Sequence, residues 1–294
     1  MKSKTDLIPP IPEAVQKSIQ IKKSSGEQVD FSIPKLRGSL LKSGAAKQEV
    51  DQIIDTVRDE LYQGISTREI YNRAFALLKK KKRVYASKYK LKRAIYELGP
   101  TGFPFEQFVG QLYHYAGYEV AVNCELQGQC VKHEVDVVAQ KNKHVLYMEC
   151  KFHREAGRKC DVKVPLYIHS RYQDLIQHPP NVKKQTQGWV VTNTQFTGDA
   201  VQYGSCVGLL LLSWDYPKDQ GLKDMIDRLG LYPITVSTLL SNREKGFLLS
   251  RNVVLCRQLL NDRFYLDHLG ISETRIKRIL EEVEQLCDVD STLH

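Results

Sequence analysis

Two apolar segments joined by a short polar turn, at residues 133–153, place the tightest constraint on the fold. A valine-rich run at 135–138 lies before the turn at 140–143, and a second apolar run at 145–148 follows it. Short runs of β-branched and aromatic residues on either side of a polar turn are typical of an antiparallel hairpin. We therefore expect two adjacent strands here.

Three charged residues, Asp136, Glu149 and Lys151, lie within these apolar runs, where a buried charge is costly unless it is paired or bound to a metal. Because side chains alternate along a strand, Glu149 and Lys151 project from one face, and Asp136 on the neighbouring strand can join it. Two carboxylates beside a lysine suit a hard divalent cation, which can activate water against a phosphodiester. The lysine can position that water or offset charge that develops on the phosphate. The alternative is a structural Glu–Lys pair at a strand end, with Asp136 starting a turn.

The elements predicted around this hairpin follow the order α-β-β-β-α-β-α-β, from a helix at 103–116 to a strand at 207–213, and predict a mixed sheet flanked by helices. Phe105-Glu106 lies on the first helix, Asp136 on a strand, and Glu149-Cys150-Lys151 at the end of the next strand. This arrangement resembles the PD-(D/E)XK nuclease superfamily, most closely the Mrr-like type IV restriction endonucleases. The resemblance implies a restriction-endonuclease-like α/β core over residues 99–215.

The same resemblance implies a metal-dependent phosphodiester hydrolysis and the residues that carry it. Asp136 and Glu149 would hold Mg²⁺ or Mn²⁺, and Lys151 would position the attacking water. Glu106 would be a further catalytic residue through contact with the metal, with an interaction with the helix dipole as an equal alternative. His133 is out of step with Asp136 on a regular strand, so we expect it to be structural.

Positive charge is concentrated in the first third of the chain. Residues 1–95 hold 21 lysines and arginines against 10 acidic residues, whereas the remainder holds 22 against 24, so the formal net charge of +9 belongs to the N-terminal part. Nine of the fifteen residues at 79–93 are basic. This asymmetry favours a phosphate-bearing partner, nucleotide or nucleic acid, with a solvated basic face as the alternative.

The N-terminal part also carries a dispersed set of motifs. Residues 1–17 contain three prolines and predict a flexible leader. Two short strands with a turn at Gly26 follow, and then helices, the last over about 83–96. The motifs Ile19-Gln-Ile-Lys-Lys-Ser-Ser-Gly26 and Ala86-Ser-Lys-Tyr-Lys90 resemble those of the ATP-cone, a regulatory nucleotide-binding module, which would cover residues 18–98.

The ATP-cone resemblance implies that ATP or dATP binds as a regulatory ligand without being hydrolysed. It also implies that the chain can form a homo-oligomer through the module. The residues that match the family's nucleotide contacts are Lys22, Lys23, Lys35, Thr67 and Lys88.

The C-terminal segment, residues 216–294, is predicted to be helical because the strand signals vanish there. Leu266–Leu280 is similar to a helix-hairpin-helix, a non-specific binder of the DNA backbone, and Arg275, Lys277 and Arg278 favour that interpretation. An ordinary helical bundle is the alternative.

Taken together, these features predict a multidomain protein with α+β and α/β parts. The longest apolar run, at 207–212, is too short to span a membrane, and seven cysteines without a CxxC pair suggest reduced thiols in the cytoplasm. The predicted function is a metal-dependent DNA endonuclease, of restriction or defence type, regulated by an adenine nucleotide. The alternatives are a nucleotide-sensing DNA-binding regulator with an inactive nuclease core, and an RNA or repair nuclease of the same fold.

Overall fold

The computed structural model describes residues 19–23, 25–155, 157–181 and 185–288, so the predicted leader at residues 1–17 lies outside it. The N-terminal part opens with an antiparallel pair of short strands and continues with three helices. These elements are β1 (Gln20–Lys22), β2 (Gln28–Asp30), α1 (Ile33–Leu41), α2 (Lys47–Asp59) and α3 (Thr67–Lys81). The order matches the predicted hairpin followed by helices, and the ATP-cone assignment stays a prediction.

Local sequence signals fix the starts of these helices. The Ser32 hydroxyl accepts a hydrogen bond from the Lys35 N–H at 3.4 Å and caps α1, and the Ser66 hydroxyl accepts one from the Glu69 N–H at 3.1 Å and caps α3. The apolar residues of α2 recur at intervals of three and four and form a buried stripe of Val50, Ile53, Ile54 and Val57.

The helix predicted over about residues 83–96 is instead two helices, α4 (Arg83–Tyr89) and α5 (Leu91–Tyr96). Lys90 lies between them, and its ammonium donates to Glu97 at 2.6 Å and to the Thr235 carbonyl at 2.9 Å. The first helix contributes to the N-terminal core, whereas the second contributes only to the core beneath the central sheet. Val84 of α4 also belongs to the core beneath the sheet, so α4 contributes to both cores and α5 to one of them, a division that helix propensity alone does not predict.

The central part is a five-stranded mixed sheet in the order β3-β4-β5-β7-β9. Its elements in chain order are α6 (Phe103–Tyr115), β3 (Glu119–Gln127), β4 (Lys132–Lys141), β5 (His144–Lys151), β6 (Lys159–Cys160), α7 (Lys163–Gln177), β7 (Gln185–Thr192), β8 (Gln195–Phe196), α8 (Gly198–Val207) and β9 (Leu210–Leu212). β4 is antiparallel to both of its neighbours, β3 and β5, and β7 and β9 run parallel to β5. The predicted mixed sheet flanked by helices is confirmed.

Two details of this part differ from the sequence prediction. The last strand was expected over 207–213, but Val207 still belongs to α8, and the helix ends at Gly208 in the left-handed conformation with φ of +70°. Glycine adopts that conformation without steric cost and commonly ends a helix. The short strands β6 and β8 also pair with each other in a separate two-stranded sheet that the sequence does not predict.

The two faces of the central sheet pack against different helices. Phe105 of α6 shares a buried cluster with Val137 and Met148 on one face, and Leu175 of α7 shares another with Tyr147 on the opposite face. The side chains of β5 therefore divide between the faces as strand alternation predicts.

Five helices and one 3-10 turn, at Ile234–Val236, form the described part of the C-terminal segment. A second 3-10 turn, at Pro179–Asn181, follows α7 in the central part. The five helices are α9 (Leu222–Leu229), α10 (Asn242–Ser250), α11 (Gln258–Asn261), α12 (Phe264–His268) and α13 (Glu273–Cys287). Their apolar residues form one continuous core with α5, α6 and one face of the sheet. In the part of the chain that the structure describes, no helix is long and apolar enough to cross a membrane.

Candidate functional site

The three charged residues of the hairpin lie where the pairing of β4 with β5 ends, remote from the turn that joins the two strands. The last residue pair of the two strands is Val137 with Met148, and Asp136 and Glu149 are the next residues along. The Cys150 N–H donates to the Asp136 carboxylate at 2.7 Å. Lys151 is the final residue of β5 and its side chain is exposed. The structure thus brings the two carboxylates and the lysine to one end of the sheet.

The carboxyl groups at this end have raised pKa values. Burial, and then the charge of Asp136, raises the pKa of Glu149 to about 7, against the opposing effect of Arg171 and Lys151. Burial and the charge of Asp136 likewise raise the pKa of Glu106, on the first turn of α6, to about 7. Burial also raises the pKa of Asp136, although the hydrogen bond from the Cys150 N–H favours its ionised form. Three carboxyl groups therefore occupy a partly desolvated region in which each opposes ionisation of its neighbours.

Arg171 on α7 is a member of this site that the sequence analysis missed. Its guanidinium donates to the Glu149 carboxylate at 3.0 Å and also contacts the main-chain carbonyl of Glu134. The guanidinium also lies 5.4 Å from the centre of the ring of Tyr167, which is one helical turn earlier on α7. The sequence offers no local signal for this contact, because α7 follows the hairpin and reaches Glu149 only through the tertiary fold.

His133 has the structural surroundings that the sequence analysis expected. Its Nε2 lies 2.8 Å from the Asp174 carboxylate, which also accepts hydrogen bonds from the N–H groups of Cys130 and Val131 at 2.8 and 3.3 Å. Partial burial opposes ionisation of Asp174, but the hydrogen bonds from His133, Cys130 and Val131 hold its pKa at about 2. These contacts join α7 to the turn that precedes β4.

The donor set at the end of the sheet fits a cation that retains water ligands. Among the described residues, no group of three or more histidine, cysteine or acidic side chains is arranged to hold a metal. Asp136 and Glu149 offer two carboxylates, and Mg²⁺ commonly binds through one or two carboxylates together with waters and substrate phosphates. The mutual repulsion of these carboxylates is a further reason that a divalent cation suits them.

Comparisons with known proteins match the two parts of the chain that follow the N-terminal helices. A family model described as a restriction endonuclease matches residues 100–214, and one described as AF1548-like, C-terminal, matches residues 232–287. An uncharacterized protein of Archaeoglobus fulgidus is 31% identical over 171 residues, which are 58% of this chain and 94% of that protein. The chain belongs to the AF1548-like family.

A solved structure supports the same relationship. The crystal structure of AF1548, described as a protein of unknown function, is 29% identical to this chain with a TM-score of 0.53, and the match covers 64% of this chain and 98% of that one. The restriction-endonuclease resemblance drawn from the sequence is thus confirmed for residues 100–214. That domain indicates a nuclease, and a nuclease of this kind implies DNA as the substrate. Neither matched family model covers the predicted ATP-cone.

In the AF1548-like C-terminal segment, Arg275, one of the three residues predicted to contact DNA, binds other residues of the protein instead. The guanidinium of Arg275 donates to the Glu244 carboxylate at 2.6 and 2.7 Å and to the Leu239 carbonyl at 2.6 Å. Arg275 therefore ties α13 to α10, while Lys277 and Arg278 on the same helix are exposed. The helical pair around Gly270 is present as α12 and α13, and its binding of DNA stays a prediction.

The residues predicted to contact nucleotide in this AF1548-like protein do not all line one cavity. Three of the five, Lys23, Lys35 and Thr67, line a cleft of about 280 Å³ beside β1 and β2. Lys88 lines a neighbouring cavity of about 320 Å³, and its ammonium lies 5.7 Å from the centre of the Tyr232 ring. Lys22 is exposed and lines neither cavity.

Proposed function

We propose that this chain is a metal-dependent DNA endonuclease of restriction or defence type, in which Asp136 and Glu149 hold Mg²⁺ or Mn²⁺. The observation that carries the proposal is the meeting of two partly buried carboxylates, both with raised pKa values, beside an exposed lysine at one end of a restriction-endonuclease-like sheet. A cation bound between two such carboxylates would stabilise both of them in their ionised forms. A divalent cation supplies Lewis-acid polarisation of a phosphodiester and lowers the pKa of a bound water.

Each side chain of the site has a task that follows from its position. The Lys151 ammonium is exposed at the strand end, so it can donate to the attacking water or to a phosphate oxygen and offset developing negative charge. Glu106, with a pKa of about 7, can hold or release a proton near neutral pH. The Cys150 N–H orients the Asp136 carboxylate. The further contact of Glu106 with the metal belongs to this proposal.

Cleavage of supercoiled plasmid tests the assignment most directly. With Mg²⁺ or Mn²⁺ the wild-type protein should nick the plasmid, and chelation should stop the reaction. Asp136→Ala, Glu149→Ala and Lys151→Ala should each lower the rate by about 10²-fold or more, and their combinations should be strongly non-additive because they act as one unit. Lys143→Ala is the matched control, since Lys143 is an exposed lysine at the opposite end of the same hairpin.

The same assay separates the proposal from its alternatives. A wild-type rate in Lys151→Ala, with unchanged metal dependence, would remove the nuclease assignment. Binding of DNA without cleavage under every metal condition would favour a regulator with an inactive core. Preferential cleavage of single-stranded or structured RNA in a parallel arm would favour an RNA nuclease of the same fold.

We also propose that adenine nucleotide binds the N-terminal part and regulates the nuclease. The cleft beside β1 and β2 supports this, because Lys23, Lys35 and Thr67 line it together with apolar residues that include Ile21 and Phe31. Lysines act as point charges on phosphates, and the apolar lining residues suit a base. The proposal extends to Lys22 and Lys88 as outer contacts and to homo-oligomerisation through this part of the chain.

Thermal unfolding of the full chain tests nucleotide binding. A ligand that binds only the folded state raises stability by RT ln(1 + [L]/Kd), so millimolar ATP or dATP should raise the Tm. Lys35→Ala should abolish the increase, whereas Lys47→Ala, an exposed lysine that does not line the cleft, should retain it. Light scattering with and without nucleotide reports assembly, and absence of any thermal response to ATP or dATP would end the regulatory proposal.

A further inference from the structure

A second cleft, distinct from the proposed nucleotide cleft, lies where the N-terminal helices meet the AF1548-like C-terminal segment. Its volume is about 310 Å³, which is within the range of small-molecule sites. It is bounded by α3, by the end of α4 and α5, and by residues 237–245. Of the residues that line it, only Tyr71 also lines the nucleotide cleft. We propose that this cleft, here called the basic cleft, binds a small phosphate-bearing anion.

The charges of the basic cleft are unbalanced. Four cationic side chains line it, those of Lys79, Lys90, Arg93 and Lys245, and Glu97 is the single acidic residue among its lining residues. Glu97 is shared between the Lys90 ammonium at 2.6 Å and the Arg93 guanidinium at 3.2 Å. Within the described ranges, no carboxylate lies within ion-pair distance of Lys79 or Lys245. The cleft therefore carries an excess of positive charge that its own residues do not neutralise.

Lys245 is the residue that distinguishes this cleft from a solvated basic surface. It is 7% exposed, and its ammonium donates no hydrogen bond to any residue that the structure describes. Burial, and then the neighbouring Lys90 ammonium, lowers the pKa of Lys245 to about 8, against the attraction of Glu97 and Glu282. Two ammonium groups that lie close together in a partly desolvated cleft repel each other, and a bound anion relieves that repulsion. Lys90 is already paired with Glu97, so a bound anion would chiefly neutralise the charge of Lys245.

Tyr71 supplies a second unsatisfied group at the same place. Its hydroxyl is buried and has no hydrogen-bond partner among the described residues. Tyr71 lines the basic cleft together with Arg93 and Glu97, and burial raises the pKa of its hydroxyl while the charges of both residues also affect it. Buried polar groups normally have a partner. A ligand oxygen within the cleft would provide one.

The arrangement fits phosphate better than other anions or a nucleic acid. Ammonium and guanidinium donors from three separate elements converge on one cavity, which suits a group with several charged oxygens. Asn242, the first residue of α10, also lines the cleft, and its side-chain amide adds an uncharged hydrogen-bond donor. A DNA backbone is tracked by exposed charges, whereas Lys245 is nine-tenths buried in a cavity of small-molecule size.

Binding to the full chain can be tested with inorganic phosphate, pyrophosphate and ATP, each compared with sodium chloride at equal ionic strength. Millimolar phosphate-bearing anion should raise the wild-type Tm. Lys245→Met removes the ammonium and keeps an apolar chain, and it should weaken the dissociation constant measured by calorimetry by about tenfold or more. Lys79→Ala, a change at an exposed position that should not disturb folding, should weaken it less, and Lys80→Ala on the same helix should leave it unchanged.

The three probes and a nucleotide-cleft variant separate the outcomes. A response to pyrophosphate that is kept in Lys35→Ala and lost in Lys245→Met supports the basic cleft and identifies an inorganic anion as sufficient. A response to ATP alone with the same pattern of variants identifies a nucleotide. Loss in Lys35→Ala with full retention in Lys245→Met would assign the anion to the other cleft and overturn the proposal. The absence of any response to all three probes would do the same.

Discussion

Arg171 donates to a carboxylate oxygen of Glu149 at 3.0 Å. Glu149 is a proposed metal ligand, so in the metal-free protein the guanidinium provides the positive charge that a cation would otherwise bring. Both side chains are largely buried, with 16% and 23% exposed. This contact connects α7 to the proposed site and makes the charge state of Glu149 depend on a residue outside the hairpin.

Removal of Arg171 should shift the pH dependence of metal binding. Arg171 lowers the pKa of Glu149 against the raising effects of burial and Asp136, so Arg171→Gln should raise that pKa further. The midpoint of Mn²⁺ binding against pH, measured by calorimetry, should therefore move to higher pH. Arg171→Lys is the control because it retains the charge, and it should shift the midpoint less. An unchanged midpoint in Arg171→Gln would show that the ion pair does not govern Glu149.

The stability of the metal-free protein should fall as the pH rises toward neutrality. Glu149 has an ordinary pKa of 4.5 that is raised to about 7 in the folded protein. Between these values the folded protein binds more protons than the unfolded chain, so stability decreases with pH and levels off above about 7. For Glu149 alone the difference corresponds to about 3 kcal/mol by the ordinary conversion of a pKa difference into free energy.

Melting curves from pH 5 to pH 9 in the presence of a chelator would measure this effect. The double variant Glu106→Gln/Glu149→Gln should have a flatter dependence of Tm on pH than the wild type. Added Mg²⁺ should stabilise the wild type increasingly up to about pH 7, because ionised carboxylates are needed to bind it. Equal slopes for the two proteins would contradict the proposed titration.

Local patterns in the sequence were sufficient for the hairpin and its charges. Strand alternation and a polar turn depend on neighbouring residues, so the positions of Asp136, Glu149 and Lys151 on β4 and β5 followed from the sequence. Arg171 did not, because a helix that follows the hairpin brings it to Glu149 by tertiary packing. The hydrogen bond from Lys90, at the break between α4 and α5, to the Thr235 carbonyl likewise joins residues that are 145 positions apart in the sequence.

Other parts of the fold gave too little signal for a prediction. The strands β6 and β8 are two residues long, and a pair of residues has no periodicity to detect. The basic run at 79–93 was recognised as a charge pattern, but the burial of Lys245 beside Lys90 was not. Lys245 on α10 and Lys90 at the end of α4 are neighbours only in the folded protein. The order of charged residues along the sequence does not indicate this contact.

Asp174 should hold the turn before β4 in place. Its carboxylate accepts hydrogen bonds from the N–H groups of Cys130 and Val131 and contacts His133. Asp174→Ala removes these acceptors, so amide hydrogen exchange at residues 128–133 should become faster and the Tm should fall. Gln177→Ala, an exposed change near the end of the same helix, is the control. Unchanged protection of Cys130 and Val131 in Asp174→Ala would show that the turn is held by other contacts.

Glu282 should be a main support of the junction between α13 and the rest of the molecule. It is 4% exposed, and its carboxylate accepts hydrogen bonds from the Ser87 hydroxyl at 2.8 Å, the Ser237 hydroxyl at 2.6 Å, and the Thr238 N–H and hydroxyl at 3.0 and 2.7 Å. Removing an acceptor from a buried donor costs about 1–3 kcal/mol. Because several donors lose their partner together, Glu282→Ala should lower the free energy of unfolding by about 3 kcal/mol or more.

Urea unfolding measures this loss, with the midpoint concentration as the readout. Glu282→Gln retains the shape and one acceptor oxygen, so it should cost less than Glu282→Ala. Glu284→Ala is the matched control, because Glu284 is an exposed glutamate on the same helix and surface changes usually stay within about 0.5 kcal/mol. The contacts of Glu282 reach α4 and the segment at 237–238 rather than β4 or β5, so the Glu282 variants should keep their metal-dependent cleavage rate at temperatures where they remain folded. Equal midpoints for Glu282→Ala and Glu284→Ala would mean that this network does not hold α13 in place.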